Sequence, residues 1–341
     1  MQVSERRSVG KTGLEVTALG MGTAAMGGLY APVSAEASLA ALEAAWAAGI
    51  RHFDSAPMYG LGRSEHLLGH FLREKAEAAT VSTKVGRLMA RERPGRPLPP
   101  APPKNPLDSG WHNGLTFREI FDYSYDGIMR SFDDSGQRTG LEKLDLLFVH
   151  DIGTVTHGEA QAAHWSALTK GGGFRALDEL RTAGLITGFG LGVNEAAIVL
   201  DAMNEATLDC TLLAGRHTLL ENLDKEHHLL SLARQAGMGI MIGGVFNSGI
   251  LAAGPTGHRK FNYQDVPEDI ARRVEALSAA CDRFGVPLAA AAIQYPLRNP
   301  AVTTVLIGPR DAEQVRQNVA WFEQDVPAEL WEALQRDGLI A

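Results

Sequence analysis

Gly49-Ile50-Arg51-His52-Phe53-Asp54-Ser55-Ala56-Pro57-Met58-Tyr59-Gly60 reads as a short buried strand that ends on an acid and breaks at a proline. The apolar run covers 50–54, and a helical pattern resumes at about 64–75. Tyr59 follows five residues after the acid, so the turn can aim both side chains into one cleft. Two later runs end alike: Thr80-Val81-Ser82-Thr83-Lys84 on a lysine and Leu146-Leu147-Phe148-Val149-His150 on a histidine. Four polar groups at or just past the ends of three strands point to a single site.

Upstream, Arg7-Ser8-Val9-Gly10, the turn Lys11-Thr12-Gly13 and Leu14-Glu15-Val16 read as a β-hairpin. A strand at 18–23 follows, then a helix at 34–48 with Ser34 as its N-cap and Gly49 as its stop. Further strands are predicted at 79–85, 144–150, 186–193, 209–214, 240–242 and 302–307. Helices are predicted at 121–135, 174–183, 195–203, 224–236, 267–284, 312–322 and 328–335. Between 87 and 116 the alternation pauses in a Pro/Gly-rich segment. It is expected to be a long loop over the mouth that Asp54 and Tyr59 face, with Trp111 and His112 as its inward-pointing residues. Eight apolar strands, each followed by a helix, predict an α/β fold, a closed (β/α)8 TIM barrel with an N-terminal β-hairpin and an extra C-terminal helix, as one domain over 1–341. The competing doubly wound sheet wants a Gly-x-Gly-x-x-Gly turn, and Gly20-Met21-Gly22-Thr23-Ala24-Ala25 lacks its third glycine.

The bulk composition narrows the function. Hydrophobic residues make up 45% and charged residues 21% of the 341, which suits a soluble globular chain. A formal charge of −8 without a basic cluster argues against nucleic acid as a partner. No apolar run reaches membrane-spanning length, and Met1-Gln2-Val3-Ser4-Glu5-Arg6-Arg7 lacks the apolar core of a signal peptide. A cytoplasmic protein is expected, either a monomer or a homodimer, acting on a small molecule. Cys210 and Cys281 make neither a disulfide framework nor a metal-ligand spacing, so no metal is expected.

Taken singly, Asp54, Tyr59, Lys84 and His150 each have an ordinary structural reading, as a turn cap, a packing ring, a solvated strand end and a core histidine. Together they make an acid–base device. A tyrosine with a pKa near 10 is a poor proton acceptor at neutral pH. A lysine ammonium beside it favours the phenolate, a carboxylate holds the lysine, and a histidine can bond and orient the substrate oxygen. One histidine and one aspartate beside a lysine are a poor metal set, and no nucleophile elbow is present. Schiff-base chemistry at Lys84 is the mechanistic rival.

With Asp54-Ser55-Ala56-x-x-Tyr59-Gly60, Ser82-Thr83-Lys84 and the strand-end His150, the sequence resembles the aldo-keto reductases over essentially its whole length. Phe121-Asp122-Tyr123-Ser124-Tyr125-Asp126-Gly127, Leu213-Ala214-Gly215-Arg216 and Gly243-Gly244-Val245-Phe246-Asn247-Ser248-Gly249-Ile250-Leu251 resemble a narrower branch. That branch holds the D-threo-aldose 1-dehydrogenases, also called L-fucose dehydrogenases, with pyridoxal 4-dehydrogenase close by. The resemblance implies a nicotinamide cofactor across the barrel mouth and oxidation of an aldose at C1 to its aldonolactone. It makes Tyr59 the acid–base, Lys84 and Asp54 its tuning pair, and His150 the group that positions the reacting oxygen, with Trp111 beside the substrate. The alternatives are a pyridoxal dehydrogenase or general aldehyde/ketone reductase and, in another class, a cofactor-sensing regulatory subunit.

The cofactor contacts implied by the resemblance are Gly22, Thr23, Asp54, Val193, Asn194, Phe246, Asn247, Ser248, Gly249, Leu251, Ile307, Gly308, Arg310, Gln314, Gln317 and Asn318. Some positions depart from the wider family's pattern. Val193 stands where a serine is usual, Ala214 where a glutamine is usual, and Gly243 where an aromatic stacks on the nicotinamide, for which Phe246 is the expected substitute. At the adenosine end, Gly308 and Gln314 replace a basic pair, leaving Arg310 as the cation and Asp311 as a source of repulsion. NAD is therefore expected, with NADP possible through Arg310.

Overall fold

The computed structural model describes residues 1–341 except 96, 100–109, 224–226, 256, 258, 259, 263 and 341. Apolar runs such as Leu146–Val149 and Val302–Ile307 are buried on both faces and become parallel strands, while those at His52–Asp54 and Thr80–Val85 also bury polar side chains such as His52, Ser82 and Lys84. Eight of them close into a barrel: β3 (Leu19–Gly22), β4 (His52–Asp54), β5 (Thr80–Val85), β8 (Leu146–His150), β9 (Gly188–Val193), β10 (Cys210–Ala214), β11 (Gly239–Gly243) and β14 (Val302–Ile307). Their order around the barrel is β10-β11-β14-β3-β4-β5-β8-β9. The expected (β/α)8 barrel is the observed fold.

The N-terminal hairpin, β1 (Arg6–Ser8) with β2 (Glu15–Thr17), closes the floor. Its Val9 and Val16 join Leu146, Phe148, Cys210, Leu212, Met241 and Leu306 in an apolar cluster. A larger core fills the layer between strands and helices, and a third cluster lies among the C-terminal helices around Tyr295 and Trp331. Helix Ala35–Ala47 begins where Ser34 Oγ accepts from the Ala37 amide, the expected cap, and Gly49 leaves it at φ 89°. The extra C-terminal helix is Ala328–Arg336. No helix among the described residues is long and apolar enough to cross a membrane.

The structure departs from the sequence reading in five places. The segment expected as a loop over 87–116 starts as a strand: β6 (Arg87–Ala90) pairs antiparallel with β7 (Arg118–Phe121). Phe121 consequently ends a strand, and the helix predicted from 121 runs over Tyr125–Thr139, capped by Ser124. The connection after β8 carries the helices Thr154–His157 and Gln161–Thr169, and an unexpected helix, Leu288–Gln294, precedes β14. The helix predicted at 224–236 is described over Leu229–Ala236, its first three positions lying outside the described residues.

His52, in the middle of β4, shows what barrel burial does to a titratable group. Its Nε2 lies 3.3 Å from Ser82 Oγ, and its Nδ1 has no partner among the described residues. Burial, reinforced by the Lys84 charge, pulls its pKa from 6.5 down to about 3. Between those values the unfolded chain takes up a proton that the folded chain refuses, so this group's contribution is lost as pH falls below 6.5. The slope is about 1.4 kcal/mol per pH unit. His52→Gln is therefore expected to lose less thermal stability than the parent on going from pH 7 to pH 5. Equal losses in thermal melts would show that His52 titrates normally in the fold.

Candidate active site

Register builds the centre of the site. Asp54 pairs with Ser82 across β4–β5, and Lys84 lies two residues beyond Ser82 on the same strand face. Ser82 Oγ donates to Asp54 Oδ1 at 2.7 Å, and Lys84 Nζ donates to Asp54 Oδ2 at 2.6 Å and to the Ser55 carbonyl at 2.8 Å. Room for the lysine stem comes from Gly192 on β9. A Cβ there would stand 3.1 Å from Phe148 Cβ and 3.4 Å from Lys84 Cε. Burial alone would lower the Lys84 pKa, but Asp54 and Tyr59 reverse this, and the group stays a cation. Burial raises the Asp54 pKa against the opposing lysine.

Tyr59 stands over this pair, with the Lys84 ammonium 4.6 Å from its ring centroid. Trp111 approaches from the other side at 5.6 Å between ring centroids, fixed by its bridge to Leu29, and His150 meets Tyr59 edge-on at 6.1 Å. Asp54, Tyr59, Lys84, His150 and Trp111 thus come together as expected. His112 does not: its side chain faces solvent, and its amide is bonded to the Gly28 carbonyl. The sequence reading also had Lys84 lowering the Tyr59 pKa. Burial raises it, and Lys84 only offsets that rise. His150 is pushed well below its usual value by burial, Arg87 and Lys84, so its imidazole is neutral.

Of the residues expected at the cofactor, several line the mouth and others are spent inside the protein. Gly22 ends β3, while the Thr23 hydroxyl is buried and donates to the Asp54 carbonyl at 3.0 Å, fixing the strand end that carries the acid. Val193 is buried at the end of β9. Asn194 Nδ2 donates to the Ala214 carbonyl at 3.2 Å. Phe246 is half-buried, and its ring packs edge-on against Trp321 at 6.0 Å. Leu251 and Ile307 are core residues. Asn247, Ser248 and Gly249 are left-handed in succession (φ 45°, 61° and 99°), and Asn247 Oδ1 is buried without a partner among the described residues.

At the far end, Gly308 faces open space, and Asp311 Oδ1 accepts from the Gln314 amide, capping helix Ala312–Glu323. Asp311 thus turns its carboxylate onto its own helix terminus. Gln314 Oε1 accepts from the Arg310 amide, Gln317 is exposed and Asn318 is buried. An orphaned amide oxygen, a flat floor at Gly243 where a Cβ would meet nothing closer than 3.7 Å, and the open end at Gly308 fit an extended polar cofactor.

Sequence reasoning missed a second polar layer. Arg87, at the start of β6, is buried, and its guanidinium bonds Glu119 Oε2 at 3.0 Å and Asp151 Oδ2 at 2.5 Å. Arg216 Nε donates to the Asn194 carbonyl at 2.6 Å and so ties the β9 and β10 loops together. Ser82 could have been found, since period-2 alternation puts it on the face of Lys84. His157 and His164 pack with Phe121 and Tyr123, and His157 Nε2 lies 3.0 Å from the Tyr123 hydroxyl.

A parallel barrel with a lysine–aspartate pair under a tyrosine, and a neutral histidine beside it, defines a class: barrel oxidoreductases whose protein part moves a proton. The model of the aldo/keto reductase family matches residues 18–336. The chain belongs to that family and is an oxidoreductase, whose chemistry is hydride exchange with a nicotinamide cofactor. It is 63% identical over 341 residues to pyridoxal 4-dehydrogenase of Microbacterium luteolum, covering 100% of this chain and 99% of the relative. It is 37% identical over 331 residues to D-threo-aldose 1-dehydrogenase of a Pseudomonas species, with 96% of each covered. An aldo-keto reductase of Bacillus halodurans, solved in its holo form, superposes with a TM-score of 0.71 at 21% identity, covering 99% and 97% of the two chains, and so bears on the fold.

Proposed function

We propose that this protein oxidises a cyclic hemiacetal to a lactone with NAD, and that its substrate is pyridoxal in preference to an aldose. The carrying observation is the 63% identity, end to end, with a pyridoxal 4-dehydrogenase, against 37% with an aldose 1-dehydrogenase. The aldose reading drawn from sequence motifs therefore gives way to its neighbour. The two substrates share one chemistry. The aldehyde of pyridoxal sits beside a hydroxymethyl group and closes to a hemiacetal, as C1 of a sugar does. In both, the carbon bearing the hydroxyl loses a hydride, its O–H loses a proton, and a lactone results.

Bound nicotinamide would supply the hydride acceptor. The chain's own residues handle orientation and the proton. Tyr59 Oη takes the hydroxyl proton, Lys84 stabilises the phenolate form, Asp54 and the Ser55 carbonyl fix Lys84, and His150 bonds the substrate oxygen. Trp111, against Tyr59, supplies an apolar wall that suits a flat aromatic ring. For the cofactor, Arg310 is the one side-chain cation in the 308–318 segment apart from Arg316, which is paired with Glu313. This favours NAD.

Initial rates with pyridoxal, L-fucose, D-arabinose and L-galactose, each with NAD and with NADP, test the reading. Pyridoxal with NAD is expected to give the highest kcat/KM, at least about tenfold above NADP, the worth of one charge-assisted hydrogen bond. Turnover of sugars without pyridoxal would restore the aldose reading. No turnover with any pair would leave another carbonyl substrate or the regulatory class.

A further inference from the structure

The tetrad is not the whole of the polar machinery. Asp151, directly after His150, is left-handed at φ 46°, a conformation that non-glycine residues rarely adopt. Such strain persists only where the surroundings fix it, and here they do so from three sides. The Tyr123 hydroxyl donates to the His150 carbonyl at 2.7 Å, the Asp151 amide donates to the Gly192 carbonyl at 3.0 Å, and Arg87 grips the carboxylate at 2.5 Å. Arg87 itself is buried, stands 5.0 Å over the Phe121 ring and is held by Glu119. The same Asp151 Oδ2 that takes the arginine lies 3.4 Å from His150 Nε2.

We infer that Asp151, clamped by Arg87, is a positioning residue that keeps the proton of His150 on Nε2, the nitrogen that must donate to the substrate oxygen. The inference rests on the proposed role of His150 at that oxygen. A neutral imidazole carries one N–H, and a carboxylate accepts but does not donate. Nε2 faces that carboxylate, whereas Nδ1 is buried without a partner among the described residues. The proton therefore belongs on Nε2. At 3.4 Å the contact is too long for a full hydrogen bond, so the carboxylate biases the proton without consuming the donor. An incoming hydroxyl beside Tyr59 then meets an N–H already oriented and not yet spent. A purely structural reading, in which Arg87 and Asp151 only tie the β6–β7 hairpin to the barrel, makes no demand on the tautomer.

The test combines histidine nitrogen NMR on the 15N-histidine-labelled full chain, with His150 assigned from a His150→Gln spectrum, and steady-state kinetics. The parent is expected to show Nε2–H. In Asp151→Ala the carboxylate is gone, and the Arg87 guanidinium, whose charge already acts on His150, attracts the imidazole lone pair. The proton should move to Nδ1, with kcat falling about tenfold or more, equivalent to at least about 1.4 kcal/mol, and with cofactor affinity unchanged. Asp151→Asn is the conservative rescue: Arg87 requires an oxygen facing it, and that oxygen is the one His150 sees. Nε2–H should be kept and kcat should stay within about threefold of the parent, under 1 kcal/mol. Nδ1–H in the parent would overturn the inference without any variant being made. So would Nε2–H persisting in Asp151→Ala, or a tautomer shift with undiminished kcat. Because the tautomer is read without substrate, failure to find a turned-over substrate would sink the functional proposal alone.

Discussion

Tyr59→Phe is expected to lower kcat by about 10²- to 10⁴-fold, the usual worth of a positioned general acid–base, while cofactor affinity changes little. Removing the hydroxyl takes away the side-chain hydrogen bond with Lys84 but leaves the ring contacts with Trp111, His150 and the Lys84 ammonium in place. A variant that kept more than a tenth of the parental kcat would remove Tyr59 from the proton path. The pH dependence gives a second measure of the same residue. To accept a proton Tyr59 must be a phenolate, and burial, only partly offset by Lys84, holds its pKa above the ordinary value of 10.0. Oxidation rates should therefore climb with pH through the neutral range and beyond, by about tenfold per unit while a single deprotonation limits. No break is expected near 6.5, because His150 is already neutral there.

Lys84→Met is expected to damage both chemistry and fold. Breaking a buried ion pair by removing one partner costs about 3–5 kcal/mol, since Asp54 is left as an uncompensated charge. The fold can relieve this by protonating Asp54, whose pKa burial already raises. A carboxyl with a raised folded-state pKa contributes stability at low pH that is lost as pH rises through that value. The variant's deficit should therefore be larger at pH 8 than at pH 5. Adding Asp54→Asn removes the stranded charge, so the double variant should recover most of the stability and none of the activity. Equal deficits at both pH values, or a double variant no more stable than Lys84→Met, would show that the pair does not carry its charges in the fold. Activity should fall by about 10²-fold or more, because the one cation favouring the phenolate is gone.

The family relationship and these two variants bear on different questions. Membership of the aldo/keto reductases follows from the match over residues 18–336. Which hemiacetal is oxidised depends on groups outside the tetrad. The approach of Trp111 to Tyr59, and Arg87 at the centre of the cluster with Asp151 and Glu119, both come from the segment that reads as a Pro/Gly-rich loop in sequence. The β6–β7 hairpin is short, and its strands are separated by 27 intervening residues (91–117), far beyond the roughly two to five residues over which a dipeptide such as Asn113-Gly114 marks a hairpin turn. Local pattern could not reveal it.

The barrel and the positions of its reactive groups were legible in the sequence. Most of the eight strands centre on apolar residues that burial on both faces accommodates, and Asp54, Lys84 and His150 stand at or near C-terminal ends, where such a barrel opens. Ser34 and Gly49 marked a helix because capping is a local hydrogen-bonding requirement. Groups whose partners lie far away in the chain found them only on folding. Thr23 spends its hydroxyl on Asp54, Phe246 packs against Trp321, and Arg87 meets Asp151 across 64 residues. The net rise of the Tyr59 pKa belongs with these, since a lysine beside a tyrosine is legible in a sequence and the burial that outweighs it is not. Side-chain chemistry is written residue by residue, but the competition between desolvation and pairing is settled only when register and closure fix what each group touches.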